Sequence, residues 1–206
     1  MIKKKYFFSL IAFILLSSCQ YFSYYDSIPI VKAAVFGFES QPVTEEEFQN
    51  NEFSFIVARL QKGKEARLVL STVEESGIER WVGIGGIKIY TYLGKVIKTN
   101  GFDHDFEILD WNKIQPEKST NLVLFSNPHA VFKQIVKLEE ASPAQIDFHY
   151  EGKIISSYVR EEVQTNKLSS INYNSYWRDS RGYIKRTNQF LNPKLPPITI
   201  DFFYKF

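Results

Sequence analysis

From Phe53 onward apolar and polar positions alternate with a period of two, the pattern of an extended strand that buries one face. Phe53, Phe55 and Val57 alternate with Ser54, Ile56 and Ala58, and a second extended run at 67–73 follows the turn Lys62-Gly63-Lys64. The two segments are predicted to pair as a hairpin. Runs at 81–84, 87–93 and 96–99 come next, the last two joined at Gly94-Lys95, a tight-turn signal. Residues 100–120 are less regular, with Asn100-Gly101, several carboxylates and Pro116, and predict a loop with one helical turn. Alternation resumes at 121–125, 131–139 and 145–150, and Glu151-Gly152-Lys153 turns the chain into a long run at 154–164. A further hairpin pairs 172–178 with 183–190 through Asp179-Ser180-Arg181-Gly182, and a last strand at 198–206 follows Pro193, Pro196 and Pro197.

Upstream the period changes. Ile28, Val31 and Val35, with Pro29 in the first turn, predict a short helix ending near Gly37. Thr44 with Glu47 three residues on has the form of a capping box and opens a turn or two of helix. Strands joined by short turns imply antiparallel neighbours, and a meander protects its edges best by curling up. The predicted fold is mainly β: a single-domain antiparallel meander closed or partly closed into a barrel or half-barrel, with one or two short N-terminal helices. Twelve tyrosines, 18 phenylalanines and 3 tryptophans suit pleated surfaces, and 206 residues with 44% apolar side chains suffice for one core.

Residues 1–19 interrupt this picture. Lys3, Lys4 and Lys5 precede an apolar run at 6–16, and Ser17 and Ser18 lead to Cys19, the layout of an export signal. The run is eleven residues long. A membrane-spanning helix needs about 20. Leu16-Ser17-Ser18-Cys19 resembles the lipobox of bacterial lipoproteins, in which the thiol is acylated and the signal is cut before the cysteine. The expected divisions are therefore a signal peptide at 1–18, an acylated tether at 19–27 and a single β-rich domain at 28–206. Acyl chains contribute about 0.8 kcal/mol per buried methylene, so several chains anchor the chain to a membrane. Gln20 stands where an aspartate would, in enterobacterial lipoproteins, favour the inner membrane; that resemblance implies the outer membrane, with the domain facing the periplasm.

The order of short motifs along the mature chain is similar to the YjbF/GfcB family, lipoproteins of group-four capsule and exopolysaccharide operons. The residues carrying the resemblance are Phe55-Ile56-Val57-Ala58-Arg59, Leu68-Val69-Leu70, Trp81, and Gly94-Lys95-Val96-Ile97-Lys98-Thr99-Asn100-Gly101-Phe102. They end with Tyr176-Trp177-Arg178-Asp179, Gly182, Ile184, Arg186 and Gln189, ahead of Pro193 and Pro197. Asn100 stands between the threonine and the glycine, and Lys95 and Lys98 replace arginines. The resemblance implies a β-rich, outer-membrane-directed lipoprotein serving capsule or exopolysaccharide assembly or export, with no catalytic residues to carry over.

Charge and side-chain chemistry narrow the partners further. A formal charge of +2, which turns negative once Lys3, Lys4 and Lys5 are removed, gives no reason to expect nucleic acid. A single cysteine excludes an internal disulfide and a cysteine-rich zinc site. Asp103-His104-Asp105 is the one cluster that looks chemical, although neighbours on an extended chain point to opposite faces and a solvated loop is the simpler reading. His129 and His149 lack ligand spacing and receive no role. Gly83, Gly85 and Gly86 read as a bend between strands, since no phosphate-loop spacing follows. Asp103, Asp110, Glu161 and Asp179 are the candidate acids for glycoside hydrolysis, and Trp81, Trp111 and Trp177 the rings that could stack on sugars or fill a lipid cavity. The expectation is a protein that is not an enzyme, has no catalytic or metal site and needs no cofactor. It is lipidated at Cys19 and meets the membrane through its acyl chains, with polysaccharide, glycolipid or export proteins as further partners. A half-barrel lipid or glycolipid carrier and a polysaccharide hydrolase are the alternatives.

Overall fold

The computed structural model describes residues 42–60, 65–102, 104–111, 118–126, 129–165, 171–192 and 195–205. Cys19, the signal, the tether, the helix expected at 28–37, the turn at 62–64 and Asp103 lie outside them. Twelve antiparallel strands close into a barrel: β1 (Phe55–Leu60), β2 (Glu65–Val73), β3 (Ile78–Gly83), β4 (Lys88–Tyr92), β5 (Lys95–Asn100), β6 (Phe106–Ile108), β7 (Lys118–Ser126), β8 (His129–Phe148), β9 (Gly152–Thr165), β10 (Ile171–Arg178), β11 (Ile184–Gln189) and β12 (Ile198–Phe203). Each strand pairs with its neighbours in sequence, and β12 returns to β1, with Val57 opposite Asp201 and Phe55 opposite Phe203. Closure leaves no free edge, which is how a meander of this length avoids pairing with other chains.

A short helix, α1 (Glu45–Asn50), precedes the barrel. Thr44 caps it as the capping-box pattern requires, its hydroxyl accepting from the Glu47 N–H at 3.1 Å. Three acidic residues in the first turn suit the positive end of a helix.

Two differences from the sequence reading have physical causes. Residues 131–139 and 145–150 are parts of one strand, β8, twenty residues long. A register shift between Ala141 and Ala144 takes up Pro143 without ending the strand, as a bulge does when a residue cannot donate to the ladder. The segment read as a loop contains the three-residue β6 and the start of β7, too short and too interrupted to show alternation. The glycine run does form a bend: a 3-10 turn (Ile84–Gly86) with Gly85 at φ 76°.

Alternation divides each strand between two environments. Ile56, Ala58, Leu68, Trp81, Ile89, Val96, Phe125, Ile200 and Phe202 form the interior core. Trp81 is fully buried, set edge-on to Phe202 at 5.8 Å, and its indole N–H donates to Thr91 at 2.8 Å. Thr91 in turn donates to Glu79, which also accepts from the Tyr204 hydroxyl at 2.9 Å. Burial raises the Glu79 carboxyl above its ordinary range, and the hydrogen bonds from Thr91 and Tyr204 oppose that shift.

The turn between β4 and β5 reaches β11: the Gln189 amide donates to the Gly94 carbonyl at 2.8 Å, and its oxygen accepts from the Val96 N–H at 2.9 Å. Gly94 sits at φ 79°, and a Cβ there would lie 2.7 Å from Ile184, so only glycine fits. Gln189, Gly94 and Ile184 all belong to the stretches that carry the resemblance, and they meet here. The interior near β9 and β10 is polar. Glu161 accepts from Lys95 at 3.1 Å, from Tyr176 at 2.9 Å and from Asn174 at 3.3 Å.

Candidate functional site

A cleft of about 230 Å³ opens on the β4–β6 side of the barrel, lined by Glu74, Ile78, Tyr90, Ile97, Lys98, Glu107, Ile108 and Trp111. Its origin is a β-bulge. In the pairing of β4 with β5, Tyr90 faces Lys98 and Thr91 faces Val96, which leaves Ile97 as the extra residue. A bulge turns its strand and re-aims a side chain, and here Ile97 lines the cleft. Lys98 and Glu107 face each other across β5 and β6 and form an ion pair at 3.0 Å. Both are more than a third exposed, so the pair adds little to stability and remains available to solvent.

The aromatic wall comes from two elements. Tyr92 and Trp111 rings lie 5.5 Å apart at 54°, which props Trp111 over the cleft from the segment after β6. Glu74 is placed by the turn closing β2 onto β3, whose Gly77 N–H donates to the Glu74 carbonyl at 2.8 Å. Half-buried rings beside a paired ammonium and carboxylate offer one apolar face and several hydrogen-bonding groups at once. A flat ligand with one apolar face and hydroxyls at its rim would meet complementary groups here.

The other candidates have structural employment. Asp105 accepts from the Thr99 hydroxyl and the Gly101 N–H at 3.0 Å and from the Phe102 N–H at 3.2 Å, so it holds the turn after β5. Asp110 accepts from the Leu122 N–H at 2.9 Å. Asp179 accepts from the N–H groups of Arg181 and Tyr183 at 2.9 and 3.0 Å, closing the β10–β11 hairpin. Among the described residues, Asp110, Glu161 and Asp179 share no hydrogen-bond partner with one another. Trp81 is core, while Trp177 is half-buried against Tyr158 at 5.2 Å. Among the described residues, no group of three His, Cys, Asp or Glu side chains is placed to hold a metal ion, and no helix is long and apolar enough to cross a membrane.

Sequence reasoning missed the most highly charged cluster. Asp201 on β12 is completely buried, and its carboxylate accepts from Arg59 of β1, Arg186 of β11 and His149 at the tip of the β8–β9 hairpin. Burial by itself would raise the Asp201 carboxyl; the hydrogen bonds from His149 and Arg186, with the charges of Arg186 and Arg59, outweigh it and hold the group below the usual carboxylate range. Arg59 also pairs with the buried Glu65 at 3.0 Å. Around this network Phe55, Val57, Phe148 and Phe203 form a second core, capped by Val43 and Phe48. Arg59 and Arg186 were visible as members of the resembling stretches; nothing in the sequence joined them to His149.

One solved structure shares this architecture. The chain superposes on the hypothetical lipoprotein YmcC from Escherichia coli with a TM-score of 0.70 and 17% identity, over 81% of this chain and 91% of that one, so the two share a fold. A putative lipoprotein from Parabacteroides distasonis aligns with a TM-score of 0.38 at 12% identity, over 75% of this chain and 95% of that one. No curated protein matches. The family pattern described as group 4 capsule polysaccharide lipoprotein gfcB, YjbF, matches residues 30–203, and the chain belongs to that family.

Proposed function

We propose that this protein is a non-enzymatic accessory in capsule or exopolysaccharide assembly or export, anchored by acyl chains on Cys19 to the inner face of the outer membrane, and that it works by holding polymer in the Trp111 cleft. The observation carrying this reading is the cleft itself: Trp111 and Tyr90 beside the Lys98–Glu107 pair, in a chain of a capsule lipoprotein family. Binding to polymer fits the separate structural commitments of Asp110, Glu161 and Asp179, the acids the sequence offered for glycoside hydrolysis, and the pairing of Glu107 in the cleft with Lys98. It also fits an interior that carries the Lys95–Glu161 pair, buried Asn121 and Gln134, and a Gln189 bridge from β11 to the β4–β5 turn, where a lipid carrier needs a continuous apolar cavity. The acyl anchor would confine the search for polymer and export proteins to the membrane plane and raise their effective concentration.

The test is complementation. A strain lacking the gene is expected to lose surface polymer, to regain it with the wild-type gene and to fail with Trp111→Ala at equal protein level. Full complementation by Trp111→Ala would remove the cleft from the account. Labelling with a clickable palmitate, comparing wild type with Cys19→Ala, tests the anchor. Polymer shortened by the purified protein would restore the hydrolase reading, and lipid retained in native mass spectrometry the carrier reading.

A further inference from the structure

His149 ties three parts of the molecule together. It sits at the tip of the β8–β9 hairpin in a left-handed backbone conformation, φ 43°, and its side chain is only 4% exposed. One ring nitrogen, Nε2, lies 2.8 Å from the Asp201 carboxylate. The other, Nδ1, accepts the backbone N–H of Val43 at 2.9 Å. A nitrogen that accepts an N–H has no proton of its own, so the ring is neutral, with its hydrogen on Nε2 and directed at Asp201.

Val43 is the residue just before the Thr44 cap of α1, and 1% of it is exposed. A second proton on the imidazole can go only to Nδ1, where it would point into the Val43 N–H. Two donors then face each other, the hydrogen bond is lost, and a cation stands in its place.

We infer that His149 is a proton-sensitive latch on the segment that leads from the barrel toward the chain's N-terminus: neutral, it holds Val43 against the second core; protonated, it lets Val43 go. The charged groups around the ring set the terms. Asp201 faces it from β12, Arg59 from β1 and Arg186 from β11, with Glu65 behind Arg59. Asp147 of β8 precedes it, its carbonyl bonded by Arg186 at 3.2 Å, and Glu151 in the same turn pairs with Lys185 at 2.6 Å. Glu45 of α1 acts on neighbouring Tyr150 through its charge. Asp201 is held ionised in this cluster, so the ring stands between one attracting carboxylate and two repelling guanidiniums.

The opening is local. Phe48 remains stacked on Tyr150 at 5.3 Å, Lys205 lies over its ring at 4.0 Å, and Glu47 pairs with Arg67, so α1 stays seated when Val43 leaves. The inference stands apart from the glycan reading.

Amide exchange in the full acylated chain, held in detergent micelles, tests this between pH 5 and 8. With rates corrected for the intrinsic pH dependence, protection of the Val43 amide is expected to fall at least tenfold on acidification. The midpoint should match the titration of the His149 ring protons, while amides of α1 keep their protection. Constant Val43 protection across a ring titration overturns the latch, and so does a ring that stays neutral throughout. His149→Phe is expected to leave Val43 poorly protected at every pH; protection equal to wild type in that variant also overturns the proposal. Should His149→Phe not fold, the wild-type titration decides alone.

Discussion

Replacing Asp201 with asparagine removes one buried charge and leaves its shape. Asp201 is 0% exposed, and the two arginine side chains clamping it are 18% and 21% exposed. Breaking a buried ion pair from one side costs about 3–5 kcal/mol, because the partners stay desolvated without compensation. Arg59 keeps Glu65 and Arg186 keeps the Asp147 carbonyl, so the lower end, about 3 kcal/mol, is expected. Urea denaturation of the chain beginning at residue 20 measures it. With a slope of roughly 2–3 kcal/mol per molar urea, the midpoint should move down by about 1–1.5 M. Lys137→Ala is the control, since Lys137 is 55% exposed and 3.5 Å from Glu162. That change should stay within about 0.5 kcal/mol. The sign with pH follows from linkage. The folded Asp201 group lies below its unfolded value of about 3.9, so its contribution is complete above that value and fades as pH falls through the folded one. The gap between wild type and Asp201→Asn should therefore be narrower at pH 3 than at pH 5, below the window in which His149 changes state. A midpoint shift below about 0.3 M, or a gap at pH 3 as wide as at pH 5, would refute the reasoning.

Other substitutions separate scaffold from site. Trp81→Ala empties a fully buried position and breaks the bond to Thr91, with an expected loss of about 3–5 kcal/mol in the same urea assay. Gly94→Ala places a methyl 2.7 Å from Ile184 at φ 79° and should cost more than about 1 kcal/mol, whereas alanine at Gly85, also at positive φ but with nothing within 4 Å, should cost less. Glu79→Gln removes a carboxylate raised by burial, a penalty present at neutral pH that disappears as pH falls through the raised value; wild type should therefore gain stability relative to the variant on mild acidification, read by thermal melts at several pH values.

The barrel was legible in the sequence because closure and burial impose a strict period, and eleven of the strands coincide with alternating runs. The twelfth, β6, is three residues long, too short for a period to be seen. The runs at 131–139 and 145–150 read as two strands, yet a bulge around Pro143 carries one strand through at a place where no N–H is needed. The site was legible only in part. Trp111 was named as a stacking ring, but its cleft depends on Ile97 becoming the extra residue of a bulge, and register is not written in composition. The Asp201 network is less visible still, since Arg59 and Asp201 are 142 positions apart and meet only because β12 closes on β1. His149 sits at the end of an alternating strand, and only the fold shows that the strand's tip turns inward over Phe203.

The central claim, that the Trp111 cleft holds polymer, is tested most directly by titrating oligosaccharides cut from the strain's own capsule or exopolysaccharide into the purified protein while following tryptophan emission. The expected result is a saturable change in wild type that is lost in Trp111→Phe and kept in Trp177→Phe. An unchanged signal in wild type, or the same saturable change in Trp111→Phe, would contradict it.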